Sequence, residues 1–487
     1  MNPGRNATAG EITEQRSIGA MARLAVPAML FVFAGFYALL LGKLDYPQSW
    51  YDHQRVMQLA GITLSVIFLP FLSVRIAPTL FRALVCICGV LLVVMFVHGM
   101  HGRPVVIESL TLALLVIAAL WWSDLIRTFD LGDALLLAAQ VSIAWYTAIS
   151  MFWLLVSVSN GMLPDPFMFF DGFVNPRLFG AWVTLSWPLL LLQPRTFRGD
   201  GLARLWLLPA LLLTLGAFWW SLALFSGTRA AWLAALVLLG LTATLGGPAG
   251  RRIALRGVLV IAAGCLLHQL LFVHWPAAST GIGAANALDR LREGASLSQR
   301  DVIWGAAWRG IVEQPWFGAG PMMFSATGTG VASSTHNVTL QLAYEWGVPF
   351  ALLVIAATVR VLWRQFERCR SDADPTRLVL WMCVVGGLIE AQLDGLLVAP
   401  HSQLMFAVLC AWLMSLDPPV KATLSGWRAR AWSGVRFLPL LMALALWSAV
   451  RPELSRLEAW ELESLQKTGI GYFQPRFWLQ GVIFPEP

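Results

Sequence analysis

Charge is what this sequence has least of. Of its 487 residues, 13% are Asp, Glu, Lys or Arg and 58% are hydrophobic. Soluble domains carry about 25% charged residues, so a water-soluble globular domain is excluded. Cysteine is scarce too. Five of the six, Cys86, Cys88, Cys265, Cys383 and Cys410, lie in apolar runs and Cys369 lies in a basic segment. That pattern excludes a disulfide framework and a structural zinc site. No internal repeat is visible. The glycine-rich stretches do not end in the Gly-Lys-Ser/Thr of a nucleotide phosphate loop.

What the chain has instead is about a dozen apolar runs, each near the ~20 residues that cross a bilayer. Spans are expected near 24–42, 56–72, 80–99, 104–122, 132–159, 178–193, 204–225, 230–246, 257–275, 347–362, 378–397, 400–416 and 436–450. In lipid the backbone must satisfy its own hydrogen bonds, so the expected fold is an all-α polytopic membrane protein with twelve or thirteen transmembrane helices. The count stays open because 378–397 and 400–416 are joined by a very tight turn, and one of them could be re-entrant. The first run lacks a small-residue cleavage site and is followed by many spans, so it is expected to stay as a span. Trp121, Trp122, Trp219 and Trp220 fall near span ends and read as interfacial anchors.

With the amino terminus inside, 21 of the 34 Lys and Arg residues fall in inside segments. This positive-inside bias turns the long polar interlude, Trp275 to Glu345, outward. The expected division is therefore a bundle of about nine spans over 1–275, an outer catalytic loop over 276–346, further spans over 347–450, and a tail over 451–487. The tail is placed outside. Its Leu454, Leu457, Leu462 and Leu465 suggest a surface helix.

Four polar features then share the outer face although 160 residues of sequence separate them. Asn175-Pro176-Arg177 precedes one span, and Ser226-Gly227-Thr228-Arg229 forms a hairpin between two others. Arg229 has two open readings: a snorkelling interfacial arginine, or a guanidinium fork matched to phosphate oxygens. Arg177 is either a flanking charge or an anion ligand at a helix start. Arg300 and Asp301 follow Ser298 in a capping-box pattern, ahead of a helix to about Gln314 whose tryptophans lay it along the membrane surface. Arg300 itself reads as a solvated charge or a third clamp.

His336 is the sharpest candidate. Thr335 reads as a helix cap, which puts His336 in the first turn, where the helix dipole disfavours imidazolium. A neutral imidazole there is able to take a proton; a capping histidine without chemistry is the plain alternative. The stretches Gly318-Ala319-Gly320-Pro321 and Thr327-Gly328-Thr329-Gly330 suggest a mobile gate. Glu390 and Asp394, four residues apart on one predicted helix, are intramembrane acids and so functional candidates, expected to hold the arginines in place. Glu108 and His401 are weaker candidates of the same kind.

These residues resemble a known family. Pro315-Trp316-Phe317-Gly318-Ala319-Gly320-Pro321, then His336-Asn337-Val338-Thr339-Leu340-Gln341-Leu342 and Glu345-Trp346-Gly347-Val348-Pro349, resemble the signature of the O-antigen ligase and polymerase superfamily. Ser226-Gly227-Thr228-Arg229-Ala230-Ala231-Trp232 is similar to its arginine element, and Asn175-Pro176-Arg177 to its earlier asparagine-rich element, from which Arg177 departs. The resemblance runs from Asn175 to Pro349. It implies a GT-C-like architecture in the bacterial inner membrane, with a periplasmic site. It also implies a metal- and cofactor-independent, inverting transfer of a glycan from undecaprenyl pyrophosphate to a sugar hydroxyl of lipid A–core. On this reading His336 is catalytic, Arg229, Arg300 and Arg177 bind the pyrophosphate, and Asp301, Asn337, Glu390 and Asp394 support them. No outer Asp-x-Asp is present, and no nucleic acid is implicated. Polymerase, protein O-oligosaccharyltransferase and, from another class, a lipid-linked glycan transporter remain alternatives, and the sequence does not set an oligomeric state.

Overall fold

A computed structural model describes residues 50–67, 77–98, 102–197, 207–281, 299–327, 332–371, 374–418, 431, 434–457, 459–460, 463 and 476–479. Within these, every regular element is a helix. The expected span at 24–42 lies outside the described residues. Helices lie at the other twelve positions: α1 (Trp50–Ile67), α2 (Ala77–Val97), α3 (Gly102–Thr128), α4 (Gly132–Ser159), α5 (Pro176–Ser186), α6 (Leu208–Ser226), α7 (Arg229–Leu245), α8 (Gly247–His268), and, beyond two helices of the polar interlude, α11 to α14. The interlude supplies α9 (Arg300–Glu313) and α10 (Val338–Trp346); then come α11 (Val348–Ser371), α12 (Thr376–Glu390), α13 (Pro400–Ser415) and α14 (Leu438–Leu454). Five helices are long and apolar enough to cross a membrane: α3, α4, α6, α8 with its continuation to Thr280, and α11.

Burial sorts them. In α3, 72% of the apolar window is buried, against 11% in α11. So α3 is an inner post, with α1, α2, α13 and α14 packed around it, and α11 is left mostly uncovered by the other described helices. A second group packs α8 against α6 and α7, while α12 ties α7 to α5 and α13. Glycines let these helices approach. A Cβ at Gly264 of α8 would stand 2.5 Å from the Trp220 Cβ and 3.0 Å from the Ala217 carbonyl of α6.

The tryptophans expected at the interface are in the core. Trp121, Trp122, Trp219 and Trp220 are at most 5% exposed. Their N–H groups explain part of this: Trp122 donates to Ser65 Oγ (2.8 Å) and Trp219 to Ser186 Oγ (3.1 Å), so a polar handle is satisfied inside the bundle. Around Trp219, the rings of Tyr146, Phe170, Phe173, Phe179 and Trp182 form one aromatic knot, with Phe170 and Phe179 stacked at 4.4 Å. The knot anchors the chain that leads into α5.

The two bundle ends differ in how their arginines are used. At one end Arg195 pairs with Asp374 (2.5 Å), Arg377 with Asp417 (2.7 Å) and Arg127 with Asp124 (2.5 Å). The far ends of α5 and α12 carry the other set, described below. Several helices depart from the expected bounds: α5 ends at Ser186, α11 runs on to Ser371, and two others change the local geometry. The run 378–397 is helical only to Glu390, and residues 391–399 form turns before α13. The run 257–275 sits in a longer rod that starts at Gly247 and continues through a π-turn (Gln269–His274) to Thr280.

Overpacking a close-packed seam costs about 1–3 kcal/mol. Gly264→Val is therefore expected to lower the melting temperature of the detergent-solubilised protein by several degrees, while Gly240→Val, where a Cβ meets nothing within 4 Å, leaves it within experimental error; differential scanning fluorimetry reads both.

Candidate functional site

Segments far apart in sequence meet at one bundle end around a cavity of about 340 Å³ that includes Arg177, Arg229, Arg300 and Asp394 in its lining. Each arginine arrives by a different local device. Asn175 caps α5 by accepting from the Arg177 N–H at 2.9 Å, with Pro176 fixing the first turn. Arg229 opens α7 after a reversal in which Gly227 takes φ 69°, a left-handed value suited to glycine. Buried Thr228 locks that reversal to α5: its Oγ1 lies 2.9 Å from Ser226 Oγ, and Gly180 of α5 packs so closely on it that any Cβ would collide. Thus Arg177 and Arg229 are held side by side on two interlocked turns, both exposed at the cavity mouth.

Arg300 comes from α9 and donates to the Leu393 carbonyl at 2.6 Å. Its helix does not start as expected. Ser298 lies outside the described residues, and the cap position is Gln299 in a left-handed conformation (φ 61°) with no side-chain cap bond. Asp301 is exposed and does not line the cavity. α9 is two-sided: Ile303, Ala307 and Ile311 are buried, and Trp308 is 62% exposed. Burial lowers the Arg300 pKa; Asp394 opposes this, and the charges of Arg177 and Arg229 add to it. Three guanidiniums thus repel one another across a cavity whose lining has one acid, Asp394. That is the electrostatic profile of a polyanion site.

His336 lies next to that acid. Its Nδ1 is 3.2 Å from Asp394 Oδ1. It is not in a helix: Asn337 is the cap of α10, accepting from Leu340 N at 2.9 Å, and His336 stands outside with φ 49°. The Thr335 cap expected from sequence is therefore corrected, and with it the dipole argument, since the neighbour that sets the ring's environment is a carboxylate. Thr335 instead bonds across the bend, its Oγ1 accepting from Asn337 N (3.2 Å) and lying 2.6 Å from Asn337 O. Trp304 of α9 donates to the Thr335 carbonyl at 3.0 Å. A non-glycine residue at positive φ is held there only by such surrounding bonds.

Asp394 owes its place to the unwound end of α12. It lies four residues past the helix end, so it does not share a helical face with Glu390, as the sequence suggested. Glu390 is fully buried beside Thr184 and does not line the cavity. Burial works against charge on Asp394, but the His336 ring, Arg177 and the Gly395 N–H outweigh it and hold its pKa down to about 2. Asn337 ties rather than lines: its Nδ2 donates to Gln392 O at 3.0 Å. His401 Nε2 donates to Leu178 O (3.0 Å), and Glu108 faces Arg476 (3.4 Å), both away from the cavity arginines. The glycine segment 318–320 is no free gate, because Ala319 and Gly320 donate to the carbonyls of Tyr344 and Glu345 at 2.8 and 3.0 Å. Of the second stretch, 328–330 lie outside the described residues.

Residues 210–356 match the family model described as O-antigen ligase. This span contains Arg229, Arg300 and His336, and the match supports membership of the O-antigen ligase and polymerase superfamily. No curated protein and no solved structure matches the chain.

The Asp394 carboxyl sits below the ordinary value of 3.8 when folded. A depressed acid contributes stability that is complete above the unfolded value and is lost as pH falls through the folded one. Melting curves of the wild type and Asp394→Asn are expected to keep a constant gap from pH 7 to about pH 4 and to converge as pH falls towards 2. A gap that closes between pH 7 and 5 would contradict the His336–Asp394 contact.

Proposed function

Starting from a chain whose 210–356 segment carries the O-antigen ligase match, we propose that this protein is an inverting O-antigen ligase. The donor is a glycan on undecaprenyl pyrophosphate and the acceptor a sugar hydroxyl of lipid A–core. The observation that carries the proposal is three guanidiniums in one cavity beside a His–Asp pair. A leaving pyrophosphate needs that positive charge, and a hydroxyl nucleophile needs that base.

In the proposed step the acceptor hydroxyl gives its proton to His336 Nε2 as its oxygen attacks the anomeric carbon. The bond from that carbon to the pyrophosphate oxygen breaks on the opposite face, and the electron pair leaves with the pyrophosphate. Asp394 holds the Nδ1 side of the ring and stabilises the imidazolium that forms. Arg177 and Arg229, exposed at the mouth, take the pyrophosphate first, and half-buried Arg300 completes the clamp. With charge neutralised by arginine, the reaction is proposed to need no metal. The site faces the periplasm and the chain lies in the inner membrane, a placement supported by the cluster of Arg127, Arg195 and Arg377 at the other bundle end, where positive charge marks the cytoplasm. The loop division at 276–346 belongs to the same proposal, with α9 and α10 as the roof.

The test uses purified protein, undecaprenyl-pyrophosphate-linked glycan and lipid A–core, with chelator present. Wild-type protein is expected to form ligated product. Arg229→Ala and Arg300→Ala are expected to lose about 10²–10³-fold in kcat, and His336→Ala about 10²–10⁴-fold, with the protein still folded. Near wild-type turnover by His336→Ala would remove it as the base. Extension of the donor alone would make the protein a polymerase, and no product in either format would leave transport as the reading.

A further inference from the structure

The buried groups that the proposed reaction does not use lead away from His336 to the carboxy terminus. Residues 476–479 cross the bundle against the first turns of α1, 420-odd positions away in sequence. Tyr51 and Arg55 donate to the Arg476 carbonyl at 2.5 and 3.0 Å, Arg55 also donates to Phe477 O at 2.9 Å, and Leu479 N donates to Asp52 at 2.8 Å. Of the leucines expected to form a surface helix in the tail, Leu454 closes α14, Leu457 is buried, and Leu462 and Leu465 lie outside the described residues; Arg476, further on, is 3% exposed. Its Nη2 reaches both oxygens of Glu345, at 3.0 and 2.8 Å, near the end of α10.

Glu345 passes the contact on. Its Oε1 accepts from Gln341 Nε2 at 2.5 Å, and Gln341 Oε1 accepts from the Thr335 backbone N–H at 2.9 Å. Thr335 is the residue before His336 and bonds across its bend. Every member of this chain is at most 9% exposed. We propose that Arg476 is a positioning residue for His336, and that the carboxy-terminal segment is a strap that sets the catalytic bend through Glu345, Gln341 and Thr335. This rests on His336 being the base of the proposed reaction. Burial raises the Glu345 pKa to about 6, with Arg476 working against the rise and Glu108 adding to it. Without Arg476 the carboxyl would therefore neutralise, and Gln341 would lose its charged acceptor.

The readout is chosen to be independent of turnover. In full-length protein, acylation of His336 by diethyl pyrocarbonate is followed by mass spectrometry, and binding of inorganic pyrophosphate reports on the arginine cavity. Arg476→Met is expected to raise the His336 acylation rate several-fold and leave pyrophosphate affinity within twofold. Gln341→Leu, which cuts the relay but keeps the Arg476–Glu345 pair, is expected to do the same. If Arg476→Met does not fold, Arg476→Lys, which keeps the charge but loses the two-oxygen grip, is read in its place. In the transfer assay kcat is expected to fall at least tenfold with the donor KM within twofold. Acylation rates within twofold of wild type in both variants would overturn the proposal. Inactive wild-type protein would instead count against the ligase reading, while the acylation result would still decide the strap.

Discussion

Three carbonyls at the end of α12 hold this site together. The helix stops at Glu390, which frees the carbonyls of Ala391, Gln392 and Leu393 inside a bundle where water is scarce. An unpaired backbone group in such a place costs roughly 2–7 kcal/mol, so each must find a donor. The donors are Val338 N (2.8 Å), Asn337 Nδ2 (3.0 Å) and Arg300 Nη2 (2.6 Å). All three belong to the polar interlude. The demand created by unwinding a span is thus met by the roof, and meeting it brings His336 to Asp394 and Arg300 to the cavity.

The arginines follow a different logic. Two of them sit on turns that are rigid because small residues interlock: Gly180 admits Thr228, and Gly227 takes the left-handed reversal. A rigid turn fixes the root of a flexible side chain, and Arg177 and Arg229 remain exposed. At the other bundle end the same residue type is consumed by Asp124, Asp374 and Asp417. Lysine would not serve equally at the cavity, since a planar fork presents paired donors to adjacent phosphate oxygens and stays charged against the like charges beside it.

Much of this was legible beforehand, for identifiable reasons. Spans announce themselves because lipid forces long apolar helices, and twelve of the thirteen expected runs carry helices among the described residues. The convergence of Arg177, Arg229, Arg300 and His336 followed from topology, since alternation across a membrane places distant loops on one face. Local geometry was less accessible. Thr335 and Asn337 are both good caps, and only the carbonyl of Gln392, which draws Asn337 Nδ2, together with the Thr335 bonds across the bend, selects the second. Glu390 and Asp394 have helical spacing, yet α12 ends at Glu390, and the carbonyls beyond it bond to the polar interlude. Tryptophans next to span ends look like anchors until all four are found in the core, where the Ser65 and Ser186 hydroxyls satisfy Trp122 and Trp219. Thr228 was visible as part of the hairpin motif, but its steric role was not, because it depends on Gly180 of another helix.

Arg476 was the least legible residue, and it raises a question of cost. A buried ion pair is an expensive way to join two segments: a hydrophobic contact of similar volume is often as stable, whereas removing one partner costs about 3–5 kcal/mol. What the pair offers is direction. Apolar packing tolerates small slips of α10 along its groove. A guanidinium gripping both Glu345 oxygens does not, because a slip of half an ångström would break two charge-assisted bonds together. Gln341 and Thr335 transmit that fixed position over two turns of α10 to a bend with a left-handed backbone. The bend carries the one histidine that faces Asp394, and a proton acceptor must sit within hydrogen-bond reach of its substrate. A costly, directional contact is thus placed where position matters most. The same contact makes the last described segment of the chain answerable to the first, through Tyr51 and Arg55, so the two ends of the described fold close on the helix that leads from His336.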